Sequence, residues 1–67
     1  MPYVNIRLTP GGATAPQKAA IIKGVTTLLQ DILKTNPALT FVIIDEVDPD
    51  NWGVSGETVT VRKKRRG

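Results

Sequence analysis

The chain has 67 residues, no cysteine, no histidine and a formal net charge of +3. This length allows one small domain, and the two missing residue types exclude disulfide bonds, thiolate chemistry and the commonest metal ligand and general base. A single core of this size rarely supplies more than about 3–5 kcal/mol. Oligomerisation is therefore the expected source of additional stability.

The first predicted element is a β-strand over residues 3–9. Apolar and polar side chains alternate there, with Val4, Ile6 and Leu8 on one face and Arg7 on the other. This period of two is typical of a half-buried strand. Proline and two glycines follow at positions 10–12 and predict a turn.

A long amphipathic helix is predicted next. Thr14 and Gln17 have the spacing of a capping box, and Pro16 is tolerated in a first helical turn. Apolar residues then recur at helical spacing over about five turns, at Ile21, Ile22, Val25, Leu28, Leu29, Ile32 and Leu33. Asn36 and Pro37 end the helix, because the residue before a proline avoids helical backbone angles.

Residues 39–47 predict a second strand, whose apolar centre suits burial on both faces. A turn cluster over residues 48–51 and a glycine-bearing loop over residues 52–56 follow, and residues 58–61 predict a short third strand or part of a hairpin. The expected fold class is therefore α/β, with a single βαβ unit and a two-stranded parallel sheet. One helix covers only one sheet face, so we expect the sheet to be extended across subunits.

The basic charge is concentrated at the C-terminal end of the chain. Residues 62–66 are all basic, whereas residues 1–61 carry four basic and six acidic side chains, a net charge of −2. We therefore divide the chain into a domain of residues 1–61 and a basic tail of residues 62–67. Like-charge runs are usually disordered and some bind nucleic acid, but no aromatic residue is interleaved here for base stacking.

Targeting features are also missing from the sequence. No segment approaches the roughly 20 apolar residues of a membrane span. The N-terminus lacks the basic and apolar regions of a secretory leader. A soluble cytoplasmic protein without membrane contact is the expectation.

Pro2 is the candidate catalytic residue. Removal of Met1 would leave it with a secondary amine at the chain terminus. The reference pKa of an α-amino group is about 7.7–8, and burial in an apolar site lowers the pKa of an amine. A base near neutral pH suits proton transfer at carbon. Most proteins that begin Met-Pro use the proline for nothing, so the dipeptide alone is a weak signal.

A wider pattern adds to this signal. It comprises Pro2 directly before a strand, the helix start at Thr14, Gln17 and Lys18, the strand end Ile-Asp-Glu-Val at residues 44–47, and Asn-Trp-Gly-Val-Ser-Gly-Glu at residues 51–57. In this order and spacing, over residues 2–62, the chain resembles the small subunits of the 4-oxalocrotonate tautomerase family. The resemblance implies a βαβ subunit in a hexamer, built as a trimer of dimers. It also implies keto–enol tautomerisation of 2-oxo or 2-hydroxy acids by the terminal proline, without metal or organic cofactor.

The resemblance assigns site residues only in part. Pro2 matches the family's catalytic base, and Trp52 takes the place of the aromatic residue that walls the pocket. The family's two substrate-binding arginines would fall near Gly12 and at Phe41, and both are missing. We therefore expect weak or divergent activity, on a monoacid or an aromatic 2-oxo acid.

Arg7 is the candidate substitute for those arginines. Two interpretations stay open: an interface ion pair with Asp45, Glu46 or Glu57, and binding of the substrate carboxylate by a planar guanidinium. Trp52 has two compatible interpretations as well, packing at a subunit contact and forming a pocket wall. For Arg62, a solvated tail residue is favoured over a residue that reaches the pocket of a neighbouring subunit.

No metal site is predicted. The acidic residues 45, 46, 48 and 50 lack the register and the glycine of an EF-hand. The predicted function is a cofactor-independent, tautomerase-like isomerase that acts on a small 2-oxo or 2-hydroxy acid. The alternatives are a non-catalytic or partner subunit of a homo- or hetero-oligomeric assembly and, less favoured, nucleic-acid binding through the tail.

Overall fold

The computed structural model describes residues 2–66. Its elements are β1 (Tyr3–Leu8), α1 (Ala15–Leu33), β2 (Phe41–Glu46), β3 (Gly53–Val54), β4 (Glu57–Thr58) and α2 (Val59–Arg66). Short 3-10 helices at Pro37–Leu39 and Pro49–Asn51 flank β2. The predicted α/β class, a βαβ unit with a C-terminal hairpin, is confirmed.

Local signals set the ends of α1. The Thr14 hydroxyl accepts a hydrogen bond from the Gln17 N–H (3.3 Å), and the Gln17 side chain accepts one from the Thr14 N–H (2.8 Å). This is the predicted capping box. The helix ends at Leu33, where Lys34 adopts a left-handed conformation with φ 58°. Its N–H donates to the Gln30 carbonyl (3.0 Å).

Strands β1 and β2 pair in parallel, with Tyr3 opposite Phe41 and Arg7 opposite Asp45. Helix α1 packs against β2, and the β1 residues at positions 4, 6 and 8 are half-buried as predicted. On the opposite sheet face Tyr3, Phe41 and Ile43 keep 60%, 52% and 47% of their surface exposed. This apolar end of the open sheet face has no cover within residues 2–66.

The apolar stripe of α1 is wider than the sheet that it covers. Ile21, Val25 and Leu29 are half-buried, whereas Leu28 and Ile32 are more than half exposed. Within residues 2–65 no side chain is fully buried. Two apolar surfaces, one on the helix and one on the sheet, therefore face outward. Neither helix in this part of the chain is long and apolar enough to cross a membrane.

The C-terminal region differs from its prediction. Strands β3 and β4 form an antiparallel hairpin, whose turn residues Ser55 and Gly56 both have positive φ, 54° and 82°. The expected strand at residues 58–61 is wrong beyond Thr58, because the chain becomes helical at Val59 and stays so through residue 66. The predicted boundary after residue 61 falls inside this helix.

Two side chains explain why this segment is helical. The Thr58 hydroxyl accepts a hydrogen bond from the Val61 N–H (3.2 Å), which satisfies a donor in the first helical turn. Glu57 forms ion pairs with Arg62 and Arg65 one and two turns later. The β-branched composition of residues 58–61 favours a strand, but these contacts stabilise a helix instead.

Candidate functional site

A small pocket of about 150 Å³ lies at the carboxyl end of β1, lined by Arg7, Val47, Asn51, Trp52 and Gly53. Arg7 comes from β1, Val47 directly follows β2, and the other three belong to the loop before β3. Two residues singled out from the sequence, Arg7 and Trp52, thus meet in one pocket although 44 residues lie between them.

Trp52 is held by three hydrogen bonds. Its indole N–H donates to the Val47 carbonyl (3.0 Å), and its main-chain N–H donates to the Pro49 carbonyl (3.3 Å). Its own carbonyl accepts from the Val59 N–H (3.0 Å). The ring is half-buried, so it forms a fixed apolar wall with no free polar atom of its own.

Arg7 belongs to a polar group on the open sheet face. Its Nε donates to the Asn5 side-chain oxygen (3.1 Å), while the Asn5 amide donates to Asp45 (2.8 Å). Arg7 Nε lies 4.0 Å from the Asp45 carboxylate. An ion pair with Asp45 is therefore present within one chain. The two terminal guanidinium nitrogens of Arg7 make no hydrogen bond within residues 2–66, so they are available to an anion in the pocket.

The other predicted acidic partners of Arg7 are engaged elsewhere. Glu46 pairs with Lys18 at the start of α1 (3.1 Å), and Glu57 pairs with the two arginines of α2. Arg62 accordingly contacts Glu57 (3.6 Å) within its own chain. Among residues 2–66 no three carboxylates come together in a group that would hold a metal ion.

Pro2 lies at the other end of β1. Its carbonyl accepts a hydrogen bond from the Phe41 N–H (3.1 Å), which anchors it beside the aromatic pair Tyr3 and Phe41. At about 3.3 Å per strand residue, the Cα atoms of Pro2 and Arg7 are about 16 Å apart. The structure therefore does not bring Pro2 to the Arg7–Trp52 pocket within one chain. Met1 lies outside the described residues.

The two positions of the missing family arginines are occupied by small or apolar residues. Gly11 and Gly12 form the turn between β1 and α1, with Gly11 at φ 80°. Phe41 starts β2 on the open sheet face. Arg7 is thus the one cation among the residues lining the Trp52 pocket.

The sequence analysis places Asn51 in a turn and in the stretch of residues 51–57 that carries the family resemblance, but it does not predict Asn51 as a pocket residue. Its backbone N–H donates to the Asp48 carbonyl (2.8 Å), and the Asp48 carboxylate caps the same short helix through the Asp50 N–H (2.9 Å). The adjacency to Trp52 was the available signal, because neighbouring residues in a tight 3-10 turn reach the same concavity.

Comparisons with known proteins agree with the fold. A family model described as tautomerase enzyme matches residues 2–62. A probable tautomerase K2 of Dickeya dadantii is 60% identical over 65 residues, which cover 97% of each chain. The crystal structure of DmpI from Helicobacter pylori is 45% identical, with a TM-score of 0.87 over 94% of this chain and 97% of that one. A heterohexamer 4-oxalocrotonate tautomerase from Chloroflexus aurantiacus is 25% identical, with a TM-score of 0.78 over 90% and 95% of the two chains.

Proposed function

Because the chain belongs to the tautomerase family and is a tautomerase-like isomerase, we propose that it moves a proton between the enol oxygen and a carbon of a 2-hydroxy or 2-oxo acid. Pro2 is the general base, and Arg7 and Trp52 bind the substrate. The observation that carries the proposal is the meeting of a guanidinium and an indole in one pocket.

The proton transfer depends on a free amine at Pro2. With Met1 attached, the proline nitrogen is an amide and has no basic lone pair, so removal of Met1 activates the base. Tyr3 directly follows Pro2, and the Phe41 N–H is bonded to the Pro2 carbonyl. A second subunit that covers these two exposed aromatic side chains would also desolvate the ammonium form of Pro2. This desolvation is expected to hold the pKa of the Pro2 amine below that of a free prolyl terminus.

The proposed reaction has two proton transfers, and the Pro2 amine takes part in both. The neutral Pro2 amine takes the proton from the enol hydroxyl of a 2-hydroxy-2-enoic acid, and the C=O double bond forms as the C=C bond is lost. The resulting ammonium returns the proton to the substrate carbon. The proposed step needs no metal and no organic cofactor.

The distance between Pro2 and the pocket calls for a second copy of the chain. Both outer edges of the two-stranded sheet are open within residues 2–66. Antiparallel pairing of β1 with the β1 of another copy would place Pro2 of one chain near the pocket of its partner. This geometry supports a homo-oligomer, with a hexamer built as a trimer of dimers as the proposed state.

Substrate class follows from the charge of the pocket. One guanidinium binds one carboxylate, and the flat Trp52 ring suits an aromatic or planar substituent. We therefore propose a monoacid or aromatic 2-oxo acid as substrate. Loss of one preorganised electrostatic donor typically costs about 100–1,000-fold in rate, so the missing arginines predict weak turnover of the aromatic acid. A dicarboxylate dienol has a second carboxylate that no guanidinium of the pocket binds, so its turnover is expected to be weaker than that of the aromatic acid.

A second candidate function is that of a partner subunit. The absence of arginine at Gly12 and at Phe41 favours it, because a second chain with arginines would complete a mixed active site. The heterohexameric relative from Chloroflexus aurantiacus is an example of assembly from unlike chains. In that case this chain alone would assemble without turning over substrate.

The test uses untagged protein whose mass shows that Met1 is absent, assayed by the absorbance change of phenylenolpyruvate. Pro2→Ala should lower the rate by orders of magnitude while sedimentation shows unchanged assembly. Pro10→Ala, in the turn after β1, is the matched control and should keep the wild-type rate. Equal rates for the wild type and Pro2→Ala would reject Pro2 as the base. An inactive wild type that gains activity only with a second chain would establish the partner-subunit function.

A further inference from the structure

The basic C-terminal helix has no part in the function proposed above, yet it contacts the loop that forms the pocket. Helix α2 packs against the short helix Pro49–Asn51, which directly precedes Trp52. The first two residues of α2 are hydrogen-bonded to this region, Thr60 to the short helix and Val59 to Trp52. The pocket wall and the C-terminal helix are therefore joined.

Two hydrogen bonds connect them. The Val59 N–H donates to the Trp52 carbonyl (3.0 Å), and the Thr60 hydroxyl donates to the Asp50 carboxylate. The acceptors, Asp50 and Trp52, lie directly before and directly after Asn51 in the loop. The other bonds of this loop are local ones, made within residues 47–52. Hence α2 supports the loop from outside through these two hydrogen bonds, beside the contact of β4 with the same short helix.

The position of α2 is in turn fixed by Glu57. Its carboxylate pairs with Arg62 (3.6 Å) and with Arg65. The side chains of Glu57 and Arg62 are about one-third exposed, 32% and 33%. Because Glu57 is in β4, these ion pairs tie the helix to the hairpin that follows the loop.

From these contacts we propose that Thr60 is a positioning residue, which holds the Trp52 wall of the substrate pocket through its hydrogen bond to Asp50. The use of this pocket for substrate rests on the function proposed above. Trp52 binds substrate and moves no proton, so loosening the wall should weaken binding and leave the chemical step intact. The expected signature is a raised KM with kcat unchanged.

The experiment compares Thr60→Val, which removes the hydroxyl at nearly constant shape, with Thr60→Ser, which retains it. Lys64→Gln is the control within the same helix, since Lys64 forms no ion pair within residues 2–66. Trp52 is the single tryptophan of the chain, so acrylamide quenching of its fluorescence reports on the wall without any substrate. Steady-state kinetics on phenylenolpyruvate give KM and kcat for the same proteins.

Thr60→Val should increase quenching of Trp52 and raise KM by about threefold to tenfold, the range that one hydrogen bond corresponds to. Its kcat should stay within about twofold of wild type, and Thr60→Ser and Lys64→Gln should match wild type. Asp50→Ala should reproduce Thr60→Val, and the double variant should add no further effect, because both changes break one interaction.

Unchanged quenching of Trp52 in both Thr60→Val and Asp50→Ala would overturn the proposal. So would a Thr60→Ser variant whose quenching and KM rise as much as those of Thr60→Val. A fall in kcat at constant KM would also overturn it, because it would place Thr60 in the chemical step. If the wild type has no tautomerase activity, the proposed function fails, and quenching alone still decides whether Thr60 holds the wall.

Discussion

Replacing Phe41 with alanine tests whether the open sheet face is a subunit interface. An aromatic side chain buries about 150–250 Å² when fully covered, and Phe41 keeps 52% of its surface exposed in the single chain. A partner that covers this half removes about 100 Å² from water, which stabilises the assembly by about 2.5 kcal/mol. Alanine retains a small part of this area. The expected loss is about 2 kcal/mol per subunit. In a symmetric dimer both Phe41 side chains are lost, so the dissociation constant rises by about 1,000-fold.

Analytical ultracentrifugation over a dilution series measures this loss directly, because it follows the mass of the assembly at each protein concentration. Val61→Ala is the control: Val61 is 47% exposed but lies on α2, away from the sheet face. It should leave the dissociation constant unchanged. A wild type that stays monomeric and folded at micromolar concentration would refute the interface, as would equal dissociation constants for wild type and Phe41→Ala.

Two further predictions concern the C-terminal helix. Glu57→Gln and Arg65→Gln should each lower the free energy of unfolding by about 0.3–1 kcal/mol, the range of exposed ion pairs. In a double-mutant cycle at equal subunit concentration, the coupling energy between the two residues should shrink between about 0.1 M and 1 M salt. A coupling energy that does not depend on salt would contradict an electrostatic contact. Truncation after Val61 removes both partners of Glu57, so denaturant unfolding should show a loss of about 1–2 kcal/mol, together with greater quenching of Trp52. A loss of only a few tenths of a kcal/mol and unchanged quenching would show instead that residues 62–67 behave as the dispensable tail expected from their charge.

The sequence was sufficient to predict an element and its ends where the contacts that determine them are local. Thr14 and Gln17 lie within one helical turn of each other, so the capping box was readable and the start of α1 was confirmed. The alternation in β1 likewise showed which side chains face α1. The sequence did not predict how much of the apolar helix stripe is buried. Leu28 and Ile32 continue the apolar pattern, but they lie on a surface that this chain does not cover.

Predictions failed or stayed incomplete where contacts join distant or unlike segments. The helix at Val59 depends on Glu57 meeting arginines that a charge count assigned to a solvated run. The meeting of Arg7 with Trp52 depends on the register of β1 against β2, which the alternation pattern alone does not specify. In the proposed site, Pro2 reaches the pocket only in a second copy of the chain, and the sequence of one chain does not specify how two copies pair.

The parallel pairing of β1 with β2 has a consequence for how a newly made chain folds. All of α1 lies between the two strands, so β1 leaves the ribosome first and has no partner until β2 has been synthesised. Helix α1 carries its own N-cap and forms from local contacts. Pairing of β1 with β2 has to close a loop that contains the whole helix, and non-local pairing of this kind is expected to be slower. During that interval the free backbone of β1 is open to the β1 or β2 of another nascent chain. Co-translational encounter on one polysome would then yield strand-exchanged dimers, and slowing synthesis after Leu33 should increase their proportion.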